Sequence, residues 1–103
     1  MIDIYYKSGV SLKGVQPQVM HGLLMCARGY ERFGAPNMWV TSVCDGKHKE
    51  GSKHYDGLAF DLRTNMYDDE QKQKLAAILR SILEDEWDVV VEATHIHVEF
   101  DPD

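Results

Sequence analysis

The sequence has little of several features that mark large protein classes. It contains two cysteines, Cys26 and Cys44, which are too few for a disulfide scaffold and lack the spacing of a cysteine-ligated metal site. Its apolar runs fall far short of the roughly 20 residues of a membrane-spanning helix. The N-terminus lacks a charged leader followed by an apolar segment. We therefore expect a soluble protein made in the cytosol without a signal peptide.

Positive charge is also scarce. Lys and Arg number 11 against 17 Asp and Glu, which gives a net charge of -6. The basic residues are scattered, without the clustered stripe that follows a nucleic-acid backbone. A nucleic-acid partner is therefore not expected, and the acidic balance is typical of a soluble surface.

The length and the remaining composition predict one domain spanning residues 1–103. Hydrophobic residues make up 44% of the chain and charged residues 27%, which is typical of a globular protein and argues against disorder. A chain of this size fits one domain with a small core.

Two amphipathic helices are predicted. The first runs from Pro17 to a stop signal at Gly34. Its apolar residues recur at helical spacing at Val19, Leu23, Ala27 and Tyr30, with Met20, Leu24 and Cys26 alongside. The second helix, Glu70–Glu84, takes Asp68 or Asp69 as its N-cap. Its solvent side is predicted to carry Gln71, Lys72, Lys74 and Arg80.

Strands are predicted around and after these helices. Alternation and flanking turn residues indicate Met38–Val43, Gly57–Arg63, Trp87–Val91 and Thr94–Phe100. The segment Ile2–Tyr6 is either an edge strand or a disordered lead. The order helix, two strands, helix, two strands predicts an α+β fold with helices packed on a small antiparallel or mixed sheet.

Alternation along the last strand separates apolar side chains from imidazoles. Successive side chains point to opposite faces of a strand, so Ile96, Val98 and Phe100 share the face that must meet the core. The other face carries His95, His97 and Glu99. By itself this strand leaves two alternatives open, ordinary surface histidines or metal ligands.

A second stretch also mixes imidazole and carboxylate. Asp61 lies in an apolar strand, where a carboxylate is unfavourable unless it is paired or coordinating, although an edge-strand charge would also fit. Gly57 and Ala59 leave room above the sheet. Histidine nitrogens and carboxylate oxygens are zinc ligands, and a set without cysteine favours a catalytic zinc site over a structural one. We expect the stretch with His54 and Asp61 to meet the last strand at one metal ion.

The segment Ser52–Asp61 resembles a known signature. It is similar to the Ser-x-His-x-x-Gly-x-Ala-x-Asp motif of zinc D-alanyl-D-alanine carboxypeptidases, a family that includes phage endolysins cleaving peptidoglycan stem peptides. His95-Ile96-His97 is similar to the His-x-His of several members. The same residues, with a helix and a Trp-bearing strand between them, also resemble the signalling domain of hedgehog proteins, which share this fold. The resemblance covers roughly Val19 to Glu99.

The resemblance implies a ligand set and catalytic roles. One Zn²⁺ would be bound by His54, Asp61 and His97. Glu92 would act as the base that activates water, and His95 would have an acid–base role. The Glu92 position leaves an alternative open, because the spacing Glu92-Ala93-Thr94-His95 suits His95 as the third ligand. Substrate binding is assigned to Ser52 and His48. Either His48 or His95 would hydrogen-bond the developing oxyanion.

One departure from the family concerns the substrate clamp. Many members carry an upstream Arg that grips the substrate carboxylate, whereas this chain has Thr41-Ser42-Val43-Cys44-Asp45 at that place. Lys47, Lys49 or Arg28 are candidate substitutes.

The resulting hypothesis is a zinc peptidase that acts on peptidoglycan stem peptides and is encoded by a phage or prophage. The alternatives are a hedgehog-like domain with a structural metal and a partner-binding surface, or an acidic binding module without a metal.

Overall fold

The computed structural model describes residues 2–45, 54 and 56–102. Its elements in chain order are β1 (Asp3–Tyr6), α1 (Pro17–Phe33), β2 (Asn37–Ser42), β3 (Ala59–Arg63), α2 (Asp69–Leu83), β4 (Trp87–Val91) and β5 (His95–Phe100). The predicted helices and strands agree with these bounds to within two residues at each end. The N-terminal segment forms a strand, which resolves the alternative left open by its short length.

The described strands form one mixed sheet of five in the order β1-β2-β3-β5-β4. β1 runs parallel to β2, and the other neighbouring strands are antiparallel. β3 and β5 are adjacent, and their register places Asp61 opposite His97. The predicted α+β fold is confirmed, and its strand order brings the two histidine-bearing stretches side by side.

The two described helices pack on one face of this sheet. The buried cluster beneath them includes Val19, Leu23 and Tyr30 of α1, Leu75 and Leu79 of α2, and Phe60, Leu62, Ile96 and Val98 of the sheet. Met20 and Leu24, predicted beside the apolar stripe, are 40% and 61% exposed because they lie on the side of α1 that faces solvent. The alternate residues of β3 and β5 therefore point to the opposite face, on which no described helix packs, and we call it the uncovered face.

Two glycines allow α1 to approach its neighbours closely. A Cβ at Gly22 would collide with the ring of Trp87, and a Cβ at Gly29 would lie 2.5 Å from Cδ2 of Leu79. Side chains of α2 and β4 thus occupy the space that these two residues leave.

The ends of the helices follow from their capping residues. The Asp68 Oδ1 accepts a hydrogen bond from the Gln71 N–H at 2.8 Å, and the Gln71 side chain accepts one from the Asp68 N–H at 3.0 Å, which together form a capping box. α1 ends at Gly34, whose φ of 102° is the left-handed conformation that glycine adopts most easily.

Two cationic side chains of α2 donate hydrogen bonds to backbone carbonyls of the β4–β5 hairpin. Lys72, predicted on the solvent side, is buried, and its Nζ donates to the Ala93 carbonyl at 2.7 Å. Arg80 donates to the Val89 carbonyl at 2.7 Å. A long side chain can bury its methylene stem while its charged end reaches a carbonyl, and helical spacing alone does not reveal this.

Candidate metal centre

Within the described residues, three donor atoms converge on the uncovered face of the sheet. The Nε2 of His54 lies 3.1 Å from Oδ1 of Asp61 and 3.3 Å from Nδ1 of His97, and this Nδ1 lies 2.9 Å from the same Oδ1. Tetrahedral ligands about 2.0–2.1 Å from a zinc ion would be separated by about 3.3 Å. These three donor atoms, which we call the triangle, are separated by nearly this distance, so His54, Asp61 and His97 could hold a metal ion.

The second nitrogen of each imidazole has an oxygen partner. The Nδ1 of His54 is 2.6 Å from the Val43 carbonyl oxygen, which can only accept, so Nδ1 carries a proton and Nε2 is the nitrogen that faces Asp61 and His97. The Nε2 of His97 is 2.8 Å from Oε1 of Glu99, which orients its Nδ1 toward Asp61. Histidines that bind metals almost always donate their other N–H to a carbonyl or carboxylate. Both rings therefore present the nitrogen that a ligand must present.

The charges in the triangle favour a cation at its centre. Burial raises the pKa of the Asp61 carboxyl, but hydrogen bonds from His54 and His97 outweigh it and hold that pKa well below its usual range. The hydrogen bond to Asp61 raises the pKa of His97, against the opposing effect of burial. Asp61 is thus ionised and accepts hydrogen bonds from the imidazoles. A metal ion would have to displace the imidazole protons that face Asp61 in order to bind.

Burial differs across the triangle. His54 is only 2% exposed and Asp61 is also buried, whereas the His97 side chain is 18% exposed. His54 and Asp61 therefore form the closed side of the site, and His97 stands at the side that solvent and a ligand can reach.

Asp45 holds the segment that orients His54. Its Oδ1 accepts hydrogen bonds from the backbone N–H groups of Val43 and Ser11, each at 2.9 Å. Burial raises the pKa of Asp45, but these backbone hydrogen bonds outweigh it and lower that pKa. The Val43 carbonyl is thereby fixed where the His54 ring needs it, so Asp45 is a positioning residue that the sequence did not reveal.

Gly57 explains one position of the signature in physical terms. Its φ is +70°, and a Cβ there would run into the carbonyl of Gly14. The Gly57 carbonyl accepts a hydrogen bond from the Gln16 N–H at 2.9 Å. The turn before α1 thus packs directly on the backbone between His54 and Asp61, where a side chain would not fit.

His95 lies beside the triangle without belonging to it. Its Nε2 is 3.8 Å from Oδ2 of Asp61, and its side chain is 32% exposed. Among the described residues, the group that contains His54 and Asp61 and could hold a metal includes His97 and not His95. This geometry supports His97 as the third ligand and leaves His95 at the rim.

Glu92 lies on the same face as His95 at the end of the β4–β5 hairpin. Its backbone N–H donates to the His95 carbonyl at 2.8 Å, and the antiparallel register continues to place the two residues opposite each other. The Glu92 side chain is exposed and makes no hydrogen bond or ion pair within residues 2–45, 54 and 56–102. The structure thus places the Glu92 backbone opposite His95 and leaves its side chain in solvent.

Of the remaining predicted residues, four lie outside the described part of the chain and one is described away from the site. His48 and Ser52, assigned to substrate binding, lie outside the described residues, as do Lys47 and Lys49. Arg28 is exposed on α1, the helix that covers the opposite face of the sheet, so Arg28 cannot act as the substrate clamp.

Two other cations reach the site instead. Lys7 and Arg63 line a cavity of about 330 Å³ together with Asp61 and His95. Alternation from Asp61 could have indicated Arg63, because residues two apart share a face. The sequence could not have indicated Lys7, because its position beside the site depends on the parallel pairing of β1 with β2.

None of the described helices is long and apolar enough to cross a membrane. Comparison of the chain with protein-family models and with curated proteins finds no match. The resemblance to zinc peptidases therefore stays a prediction from the motif, and the converging donors of His54, Asp61 and His97 are the feature from which a function can be argued.

Proposed function

We propose that this protein is a zinc-dependent peptidase that hydrolyses an amide bond in peptidoglycan stem peptides. The observation that carries the proposal is the triangle of His54, Asp61 and His97, in which both imidazoles are oriented through their second nitrogen. Two imidazoles and one carboxylate are a catalytic type of zinc donor set, which leaves a fourth position for water or substrate. The peptidoglycan substrate and an origin in a phage or prophage are supported by the Ser52–Asp61 signature alone.

The roles of the chain's own residues follow from where they lie. When bound, zinc supplies a Lewis acid that makes a water molecule nucleophilic near neutral pH. Glu92, on the same face as His95, would accept the proton that the attacking water loses and would deliver it to the amine that leaves when the amide C–N bond breaks. His95, whose Nε2 lies 3.8 Å from Oδ2 of Asp61, donates a hydrogen bond to the developing oxyanion. The solvent-accessible side of the triangle at His97 is where the peptide enters.

Cleavage of purified cell wall tests this function. The zinc-loaded protein should release stem-peptide fragments, and a chelator should abolish the release until zinc is restored. Glu92→Gln should lower the rate by about 10²–10⁴-fold, the usual contribution of a general base, with zinc content unchanged. Glu70→Gln is the matched control, since Glu70 is exposed on α2 and should leave the rate unaltered. A zinc-loaded, folded protein that releases no fragment from any wall type would contradict the proposal.

A second function is favoured by one observation. The Glu92 carboxylate is exposed and makes no hydrogen bond or ion pair within the part of the chain that the structure describes. A hedgehog-like domain with a structural zinc and a partner-binding surface would need no base there. In that case one zinc would bind, its removal would lower the melting temperature, and Glu92→Gln would change neither property.

A further inference from the structure

We propose that the cavity between the first half of α1 and the end of α2 binds a lysine side chain of a partner peptide. The cavity has a volume of about 250 Å³ and lies on the helix-covered side of the sheet, across the sheet from the candidate metal centre. The inference is therefore independent of the proposed peptidase function. It gives the protein a second binding site, whose guest is an ammonium group on an aliphatic stem.

The cavity has an apolar wall and an acidic rim. Met25 of α1, Ile82 of α2 and Trp87 of β4 are half-buried and form part of the wall. Glu84 and Glu86 are exposed and line the cavity from the loop that joins α2 to β4. A lysine side chain has the same division, because its four-carbon stem can be buried while its ammonium end stays among polar groups.

The rim carries negative charge that no neighbouring cation balances. The described residues that line the cavity include neither lysine nor arginine. The Glu84 and Glu86 carboxylates make no hydrogen bond or ion pair within residues 2–45, 54 and 56–102. Both follow the C-terminus of α2, where the helix macrodipole favours a cation. An ammonium group at the rim would therefore be attracted by two carboxylates and by the end of the helix.

The backbone at Glu84 is in a conformation that suits glycine better than glutamate. Its φ is 66° and its ψ is -159°, in a region that is essentially restricted to glycine. A glycine there would relieve the strain and would also remove a negative charge from the helix C-terminus. Glu84→Gly should thus stabilise the fold while it weakens binding at the cavity, two effects that a purely structural glutamate would not combine.

The size of the cavity and the arrangement of its acceptors favour an organic cation. A volume of about 250 Å³ exceeds the roughly 150 Å³ that admits benzene and is smaller than the roughly 300–1,000 Å³ of drug-sized pockets. Among the described residues, His21, Glu84 and Glu86 do not form a group whose donors converge closely enough for a metal ion. The exposed Leu24 lies one helical turn after His21, where the residues flanking a bound lysine would cover it. This neighbour favours a peptide over a free amine.

Three probes test the site by binding alone. Nα-acetyl-lysine N-methylamide, its Nε-acetylated form and n-butylammonium are titrated into the purified protein, and NMR follows the Trp87 indole N–H. The charged lysine probe should bind about tenfold tighter than the Nε-acetylated form or better, as expected for hydrogen bonds between charged groups. It should also bind tighter than n-butylammonium, which lacks the peptide groups.

Variants of the loop assign the preference to the cavity. Glu84→Gln and Glu86→Gln should each reduce the preference for the charged lysine probe by about threefold or more. Asp85→Asn is the matched control, because Asp85 is exposed between them and does not line the cavity, and this variant should change the preference by about twofold or less. Glu84→Gly should raise the melting temperature and lower the preference together.

The outcomes that overturn the inference are distinct from those that bear on the peptidase. Equal binding of the charged and the Nε-acetylated probe would remove the site. Equal losses in all three loop variants that remove a charge would assign the preference to general charge. Binding of n-butylammonium as tight as that of the lysine probe would overturn the peptide as the guest. If Glu84→Gln does not fold, Glu86→Gln decides. None of these measurements uses zinc or turnover, so each proposal can fail without the other.

Discussion

The two faces of the sheet are built from the same strands in opposite ways. In β5, Ile96 and Val98 are fully buried under the helices, whereas His95 and His97 point to the uncovered face. The helix-covered face is held by many interchangeable apolar contacts. The uncovered face depends on a few atoms, each with a specific partner. Because side chains alternate, the first face fixes the position of the second, and changes on the two faces should alter different properties.

Loss of a metal ligand should give the largest effect, a fall in zinc affinity. The fold, which depends on the helix-covered face, should stay intact. His97→Ala removes one of the three converging donors, so we expect zinc affinity to fall by more than the roughly 10–100-fold that follows loss of an outer hydrogen-bond partner. Competition with a chromophoric chelator measures the affinity, and circular dichroism should show an intact fold.

His21→Ala is the matched control for this variant. His21 is an exposed histidine on α1, on the other side of the sheet, and its loss should leave zinc affinity unchanged. Zinc affinity in His97→Ala equal to that of the wild type would remove His97 from the site. A loss confined to His95→Ala would make His95 the third ligand.

Truncation of a core side chain should lower stability and leave zinc binding unchanged. Leu79→Ala empties a fully buried position of α2, and we expect the free energy of unfolding to fall by about 2–5 kcal/mol in urea denaturation. Zinc bound per folded molecule should not change. Leu24→Ala, at an exposed position of α1, should shift stability by no more than about 0.5 kcal/mol. A folded Leu79→Ala protein that had lost zinc binding would show that the two faces are not separable.

The partner of His97 should have an intermediate effect. Glu99→Gln removes the charged acceptor that orients the His97 ring, so zinc affinity should fall by about 10–100-fold. Asp88→Asn is the matched control, because Asp88 lies opposite Glu99 on β4 and the change removes the same charge. Equal losses in the two variants would mean that general charge, and not the hydrogen bond to His97, supports binding.

The smallest effect should come from the close approach of α1. Gly22→Ala places a methyl group against the Trp87 ring, and overpacking of this kind costs about 1–3 kcal/mol. Alanine is about 1 kcal/mol better than glycine within a helix, so the net loss should be near 1 kcal/mol. Thermal denaturation measures this loss of stability. Zinc binding should not change. A stabilised variant would show that the Trp87 ring moves aside.

Local patterns in the sequence were sufficient for the elements and for the composition of the triangle. The alternation in β5 placed His95 and His97 on one face, and the signature joined His54 to Asp61. The supporting partners could not be predicted, because they depend on contacts between distant segments. The Val43 carbonyl, the Asp45 carboxylate and the buried Lys72 take their roles only after strands and helices have packed.

The central claim is that His54, Asp61 and His97 bind one zinc ion. Zinc analysis combined with X-ray absorption spectroscopy of the purified protein tests it most directly. The account predicts one zinc per chain, with nitrogen and oxygen donors only, at about 2.0–2.2 Å, and the multiple-scattering signal of two imidazoles. A sulfur donor near 2.3 Å would contradict it, since that would place Cys26 or Cys44 at the metal. A folded protein that takes up no zinc would contradict it outright.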